Sequence, residues 1–192
     1  MKKKSNNNQT KIRGPKISPG TSIAFFLLTL VLIGVDQWSK LWVIQDSLLQ
    51  DGASHVLIDG FLNFRYTFNT GAAWSFLADK SWGIYFLTGI SVLASVVFLI
   101  FLIRTSGWPK FLPFTFSLLL AGTVGNLIDR IRLGGVIDFV DVVFGDWHFP
   151  TFNVADSLIV VGMIFLLVYI LFFEDKHRNT FMTDERYRVR RI

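Results

Sequence analysis

The residues that can do chemistry in this chain are carboxylates set in apolar surroundings. Asp36 and Lys40 lie four apart in "VDQWSK", Asn126, Asp129 and Arg130 occur together in "GNLIDR", Asp138 stands in "GGVIDF", and Asn153 and Asp156 stand in "FNVADS". Carboxylates without a metal-type cluster or a nucleophile–histidine pair point to acid/base activation of water. Two aspartates that meet within a few Å cannot both ionise easily. One keeps a proton while the other acts as base, and their titration belongs to the pair.

Each residue also has a plainer reading. Asp36–Lys40 and Asn126–Arg130 have the spacing of i,i+4 helix pairs, worth a few tenths of a kcal/mol in water. Asn153 followed three residues later by Asp156 has the pattern of an N-cap and an N3 acid. Asp138, in the alternating stretch "VIDFVDVVF", can simply face water. Convergence favours a site: polar groups from several segments fall at one level, which a single cap does not explain.

The elements that must position these groups are membrane spans. Of 192 residues, 52% are hydrophobic and 17% charged, against roughly 25% charged in soluble domains, and the mean hydropathy is +0.47. The apolar residues form blocks long enough to cross a bilayer, for which about 20 are needed. Four spans are expected, at about Ser22–Ile44, Gly83–Ile103, Phe111–Ile131 and Asp156–Phe173. The second carries no charge, and the third has Pro113 near its start, where a missing N–H does least harm. The first follows a basic stretch, as a cleavable signal peptide would. It lacks a small-x-small cleavage site, so retention as a span is expected.

With these spans, the small set Asp36, Lys40, Asn126, Asp129, Arg130, Asp138 and Asp156 falls toward the outer end of a span or just beyond it. Each ionisable group within a span costs about 2.5–3.5 kcal/mol to insert and is a functional candidate by default. A channel or transporter would spread its polar residues through the membrane depth. A non-enzymatic scaffold or lipid-binding protein would have no need of the aspartates.

Lys2, Lys3, Lys4, Lys11, Arg13 and Lys16 precede span one, Arg104 and Lys110 lie between spans two and three, and six basic residues follow span four. That asymmetry places both termini in the cytoplasm. It also explains the net charge of +5 through topology and anionic lipid rather than nucleic acid. Residues 1–20 read as a disordered basic arm, 21–173 as the functional domain and 174–192 as a charged cytoplasmic tail. The outward loops are about Gln45–Trp82 and Arg132–Ala155. In the first, β-branched and aromatic residues punctuated by Gly60 and Gly71 predict a small β-strand subdomain on the outer membrane surface. There are no cysteines, which excludes disulfides and thiol chemistry. His55, His148 and His177 show no metal-ligand spacing.

"VDQWSK", "FNTGAAWSF", "GNLIDR", "GGVIDFVDV" and "WHFPTFNVADS" together resemble, in order and topology, the signature blocks of the lipoprotein signal peptidases (signal peptidase II) over roughly Thr21 to Phe173. The resemblance implies a four-helix bacterial inner-membrane aspartyl endopeptidase that needs no metal or organic cofactor. It implies cleavage of diacylglyceryl-modified prolipoproteins just before the lipidated cysteine. Asp138 and Asp156 then correspond to the catalytic pair. Asp36, Lys40, Asn69 with Gly71, Asn126, Asp129, Arg130, Asn153 and Ala155 correspond to substrate-binding or supporting positions. Membrane lipids and globomycin-type inhibitors are the further partners implied. Trp74 stands where many members have Phe, and neither the N-terminal arm nor the C-terminal tail matches a family motif.

Overall fold

The structure, a computed structural model, describes residues 16–71, 80 and 82–173. Readings that fall on the N-terminal arm before residue 16, on Trp74 and on the tail beyond residue 173 lie outside these.

Four long helices carry the fold: α1 (Pro19–Gln45), α3 (Gly83–Arg104), α4 (Phe111–Leu133) and α5 (Val154–Phe172), with a single turn, α2 (Ser47–Gln50), after α1. All four are long and apolar enough to cross a membrane. Each matches an expected span within a few residues at either end. Large exposed apolar side chains cover α1, α3 and α5, among them Val31, Leu93 and Leu171, as a lipid-facing surface requires. By contrast, 72% of the most apolar stretch of α4 is buried within the protein. Helix α4 is therefore the post against which α1, α3 and α5 pack.

Small residues allow that packing. A Cβ on Gly122 would collide with the Ala155 carbonyl and stand 2.7 Å from Ile159 Cγ1, and one on Gly162 would stand 2.8 Å from Leu119 Cγ. Leu102, Leu112, Phe116, Leu119, Leu120 and Tyr169 form the bundle core away from these aspartates. Helix α4 stops at Gly134, whose φ of 76° is left-handed and whose N–H returns to the Arg130 carbonyl at 3.2 Å. Glycine meets that geometry without a Cβ penalty.

The connection after α1 and the connection between α4 and α5 fold together rather than separately. Strands β1 (Ser54–Ile58), β2 (Leu62–Asn69), β3 (Val136–Phe144) and β4 (Trp147–His148) make one antiparallel sheet in the order β1-β2-β3-β4. Strand β3 thus lies against β2 of the other loop, with Thr67 opposite Asp138 and Asn69 opposite Val136. The chain leading into α5 is stitched to β3, Phe152 N–H donating to the Val140 carbonyl at 3.2 Å and Val140 N–H to the Phe152 carbonyl at 2.8 Å. Beneath the sheet, Val43, Leu49, Ile137 and Phe139 form a second buried cluster that fixes it to the end of α1. Asp46 closes the corner: its carboxylate accepts from Leu48 N–H and Leu49 N–H, capping α2, and bonds His55 of β1 at 2.9 Å. The hydrogen bond from His55, before any other influence, holds the Asp46 carboxyl below its ordinary range.

Candidate active site

Helical spacing puts Asp36 and Lys40 on one face of α1, where they form an i,i+4 ion pair of 2.9 Å. The pair is fully buried, with side-chain exposures of 0% for Asp36 and 2% for Lys40. Burying charges is costly unless they are paired and further hydrogen-bonded, and here they are. Lys40 Nζ also contacts Asp129 Oδ2 at 2.9 Å and donates to Asn126 Oδ1 at 3.0 Å. The second oxygen of Asp36 accepts the backbone N–H of Ala155 at 2.9 Å, tying α1 to the first turn of α5. Asp129 accepts the N–H of Ile137 at 3.3 Å, so α4 holds the strand residue just before Asp138. Gly125 makes this crossing possible: a Cβ there would lie 2.5 Å from Asp36 Oδ2.

Asp138 and Asp156 sit above this base. Asn153 caps α5 through its side-chain oxygen, which accepts Asp156 N–H at 2.9 Å, while its own N–H donates to Asp156 Oδ2 at 3.2 Å. The cap reading of the "FNVADS" stretch holds, with Asn153 and Asp156 forming a capping box. The Asn153 amide nitrogen turns the other way, donating to Asp138 Oδ1 at 2.7 Å, Asn126 Oδ1 at 3.1 Å and the Ile137 carbonyl at 3.2 Å. One buried side chain therefore touches both aspartates. Asp156 Oδ1 accepts the Asn126 amide at 2.7 Å. Asp138 Oδ2 accepts the Asn69 amide at 3.0 Å, and Asn69 in turn accepts Gly71 N–H at 2.9 Å.

Asp138 does not face water; it is 3% exposed. Burial, with the neighbouring Asp156 charge acting in the same sense, raises its carboxyl to about 7, although the Asn69 and Asn153 hydrogen bonds oppose the shift. A carboxyl that holds a proton near neutrality beside a second carboxyl can serve as a general acid.

Arg130 takes a different path from the i,i+4 reading. Its guanidinium donates to Ser91 Oγ on α3 at 3.3 Å, and its Nε is buried without a hydrogen-bond partner. Asp156, Asp138 and Asp129 all lie within its electrostatic reach. Asp141, by contrast, is buried on β3 against His148, with Nδ1 at 2.9 Å, and takes no part in the Asp138–Asp156 network.

Two residues escaped the sequence reading. Gln37 Nε2 donates to Asp36 at 3.1 Å, Asp129 at 3.0 Å and the Gly125 carbonyl at 3.2 Å. Its signal was a third polar side chain beside Asp36 within an apolar span. Ser91 had no such signal, because an isolated serine in a span usually bonds its own helix.

Known proteins share this sequence and this architecture. The model of the Signal peptidase (SPase) II family matches residues 28–172. The lipoprotein signal peptidase of Xanthomonas oryzae pv. oryzae is 41% identical over 155 residues, which cover 79% of this chain and 91% of that protein. The lipoprotein signal peptidase of Acinetobacter baylyi is 40% identical over 148 residues, covering 77% and 81%. A bacterial membrane enzyme solved by the in meso method at 2.3 Å resolution superposes with a TM-score of 0.69 and 32% identity, covering 90% of this chain and 97% of that one. A second such structure, at 1.9 Å, gives a TM-score of 0.67 and 33% identity, covering 84% and 99%. The chain belongs to the signal peptidase II family and is a protease that cleaves signal peptides.

Proposed function

We propose that this protein is an aspartyl endopeptidase of the bacterial inner membrane. It removes the signal peptide from diacylglyceryl-modified prolipoproteins, cutting before the lipidated cysteine. The observation that carries the reading is the joint hold of Asn153 on two carboxyls, one of them raised to about 7 by burial and by its partner's charge.

In the reaction, one aspartate as the carboxylate takes a proton from water while the other, protonated, hydrogen-bonds the scissile carbonyl oxygen. The water oxygen bonds to the carbonyl carbon, giving a tetrahedral intermediate. A proton then passes to the amide nitrogen, the C–N bond breaks, and the cysteine leaves as an amine. Asp36, Lys40, Asn126, Asp129, Asn153 and the Ala155 N–H hold the pair in place, and Asn69, seated on the Gly71 turn, steadies Asp138. Arg130, held by Ser91 on α3, braces the edge of this network as a cation facing both aspartates.

The placement suits a lipidated substrate. Its acyl chains remain in the bilayer while its peptide reaches water at the outer interface, beside the sheet. The excess of Lys and Arg near the opposite span ends supports cytoplasmic termini. Globomycin-type cyclic peptides are expected to compete for the site.

The test is cleavage of a diacylglyceryl-modified precursor beside its unlipidated form, with and without globomycin. Wild type is expected to cut only the lipidated form and to be blocked by the peptide. Asp138→Asn and Asp156→Asn are expected to insert and fold yet cut nothing. Wild-type-like processing by either variant would sink the dyad.

A further inference from the structure

The two aspartates are not equivalent in their surroundings. Both oxygens of Asp138 accept neutral side-chain amides, from Asn69 and Asn153, and among the described residues no cation forms an ion pair with it. Asp156 stands at N3 of α5 inside a capping box, where the helix N-terminus favours negative charge. The amide it accepts belongs to Asn126, whose oxygen in turn accepts Lys40 Nζ at 3.0 Å. A cation on the oxygen of an amide withdraws electron density and strengthens its N–H donors. Lys40, with no direct contact to Asp156, thus acts on it through one side chain.

The other charges facing the pair balance. Asp36 and Lys40 come from α1, Asp129 and Arg130 from α4, two anions against two cations, and Asp36 and Asp129 already share Lys40 between them. Helix α3 contributes only the neutral Ser91, which holds Arg130. The balance leaves the helix end and the amide relay to decide where the charge sits.

We infer that Lys40 is a positioning residue that acts through Asn126 to make Asp156 the resting carboxylate, and hence the base, leaving Asp138 to carry the proton and donate it to the substrate. This assignment rests on the dyad proposed above and gives each member one role. In the first step Asp156 Oδ takes the proton from water as the new C–O bond forms, and the Asp138 proton hydrogen-bonds the carbonyl oxygen. Burial holding the Asp138 carboxyl near 7 agrees with it.

The test is the pH profile of kcat/KM for the lipidated precursor. Its acid limb reports loss of the base and its alkaline limb loss of the acid. Lys40→Gln is expected to move the acid limb upward by roughly one pH unit, the lower end of the effect of a nearby opposite charge. Loss of activity on that limb is then about tenfold at fixed pH. Because Lys40→Gln leaves two buried aspartates short of a cation, it is paired with Asn126→Ser. That variant cuts the relay while keeping the Lys40 ion pairs, and it decides the matter where the first does not accumulate. An upward shift of its acid limb supports the assignment. A uniform loss of rate with both limbs in place, or movement of the alkaline limb instead, overturns it. Neither result rescues or harms the dyad itself, which stands or falls with Asp138→Asn and Asp156→Asn.

Discussion

Gly122→Ala changes one hydrogen into a methyl group, and the structure gives the consequence a size. The new carbon would strike the Ala155 carbonyl and approach Ile159 Cγ1 at 2.7 Å. The isoleucine tip can turn aside, but a backbone carbonyl cannot, so the first turn of α5 must back away from α4. Overpacking of this kind costs up to about 3 kcal/mol, and the gain in helix propensity from Gly to Ala returns about 1. The net loss of about 2 kcal/mol lowers Tm by roughly 4–8 °C for a chain of this length. Gly89 on α3 is the control, since a Cβ there meets nothing within 4 Å, and Gly89→Ala is expected to match or exceed wild-type Tm. Activity falls further than stability. Retreat of α5 stretches the Ala155 N–H bond to Asp36 (2.9 Å) and the Asn126 bond to Asp156 (2.7 Å). A misplacement of about 1 Å at reacting groups costs on the order of a hundredfold. Thermal unfolding in detergent and cleavage well below Tm read the two effects separately. A Gly122→Ala protein as stable and as active as Gly89→Ala would refute the argument from close approach.

Three more expectations follow from the same network. The Asp138 carboxyl binds its proton more tightly folded, at about 7, than unfolded, at about 3.9. Its contribution to stability is complete below about pH 4 and lost as pH rises toward 7. Asp138→Asn removes that loss, so its Tm is expected to exceed wild type at about pH 8, with the gap narrowing by about pH 5; an unchanged gap would contradict the buried carboxyl. Asn153→Ser keeps a cap oxygen for Asp156 N–H but loses the amide donated to Asp138. It is expected to stay folded, with Tm lowered by several degrees as the buried acceptors lose their donor, and to lose most cleavage even well below its Tm. Asp36→Asn breaks one of two ion pairs to Lys40; removing one partner of a buried pair costs about 3–5 kcal/mol. Reduced stability and weakened rather than absent cleavage are expected, and a well-folded but dead variant would bring Asp36 to the reacting atoms.

The long-range shape of the protein was legible where composition alone decides it. Uninterrupted apolar length marks spans, so all four helices lie where the hydropathy put them. The aspartates stood out for the same physical reason: a charge in hydrocarbon is too costly to be accidental. Less legible was everything that depends on two segments meeting. β-Branched and aromatic residues announced strands in the first loop, and alternation marked "VIDFVDVVF", but nothing local in β2 names β3 as its neighbour, and that pairing sets Thr67 beside Asp138. Gly122 and Gly125 carry no sequence signal of their own among apolar residues, since what they permit is visible only once α5 and Asp36 are in place. Arg130 matched an i,i+4 pattern with Asn126, yet the Asn126 amide was already taken by Lys40, Asn153 and Asp156.

The bond from Ala155 N–H to Asp36 joins residues 119 apart along the chain, and it bears on how such a protein is made. Spans enter a membrane in order, and the first brings Asp36 and Lys40 already paired one turn apart, so the two charges cross together as a neutral couple. Asp156 and the N–H that anchors Asp36 arrive only with the last span. Until then a nascent chain holds one aspartate of the proposed pair and lacks the N–H that anchors Asp36. With the pair proposed above, such a protease is expected to stay inert until its last span is in place, and a chain stalled or cut short before the final helix is expected to leave behind a membrane protein without an edge to cut with.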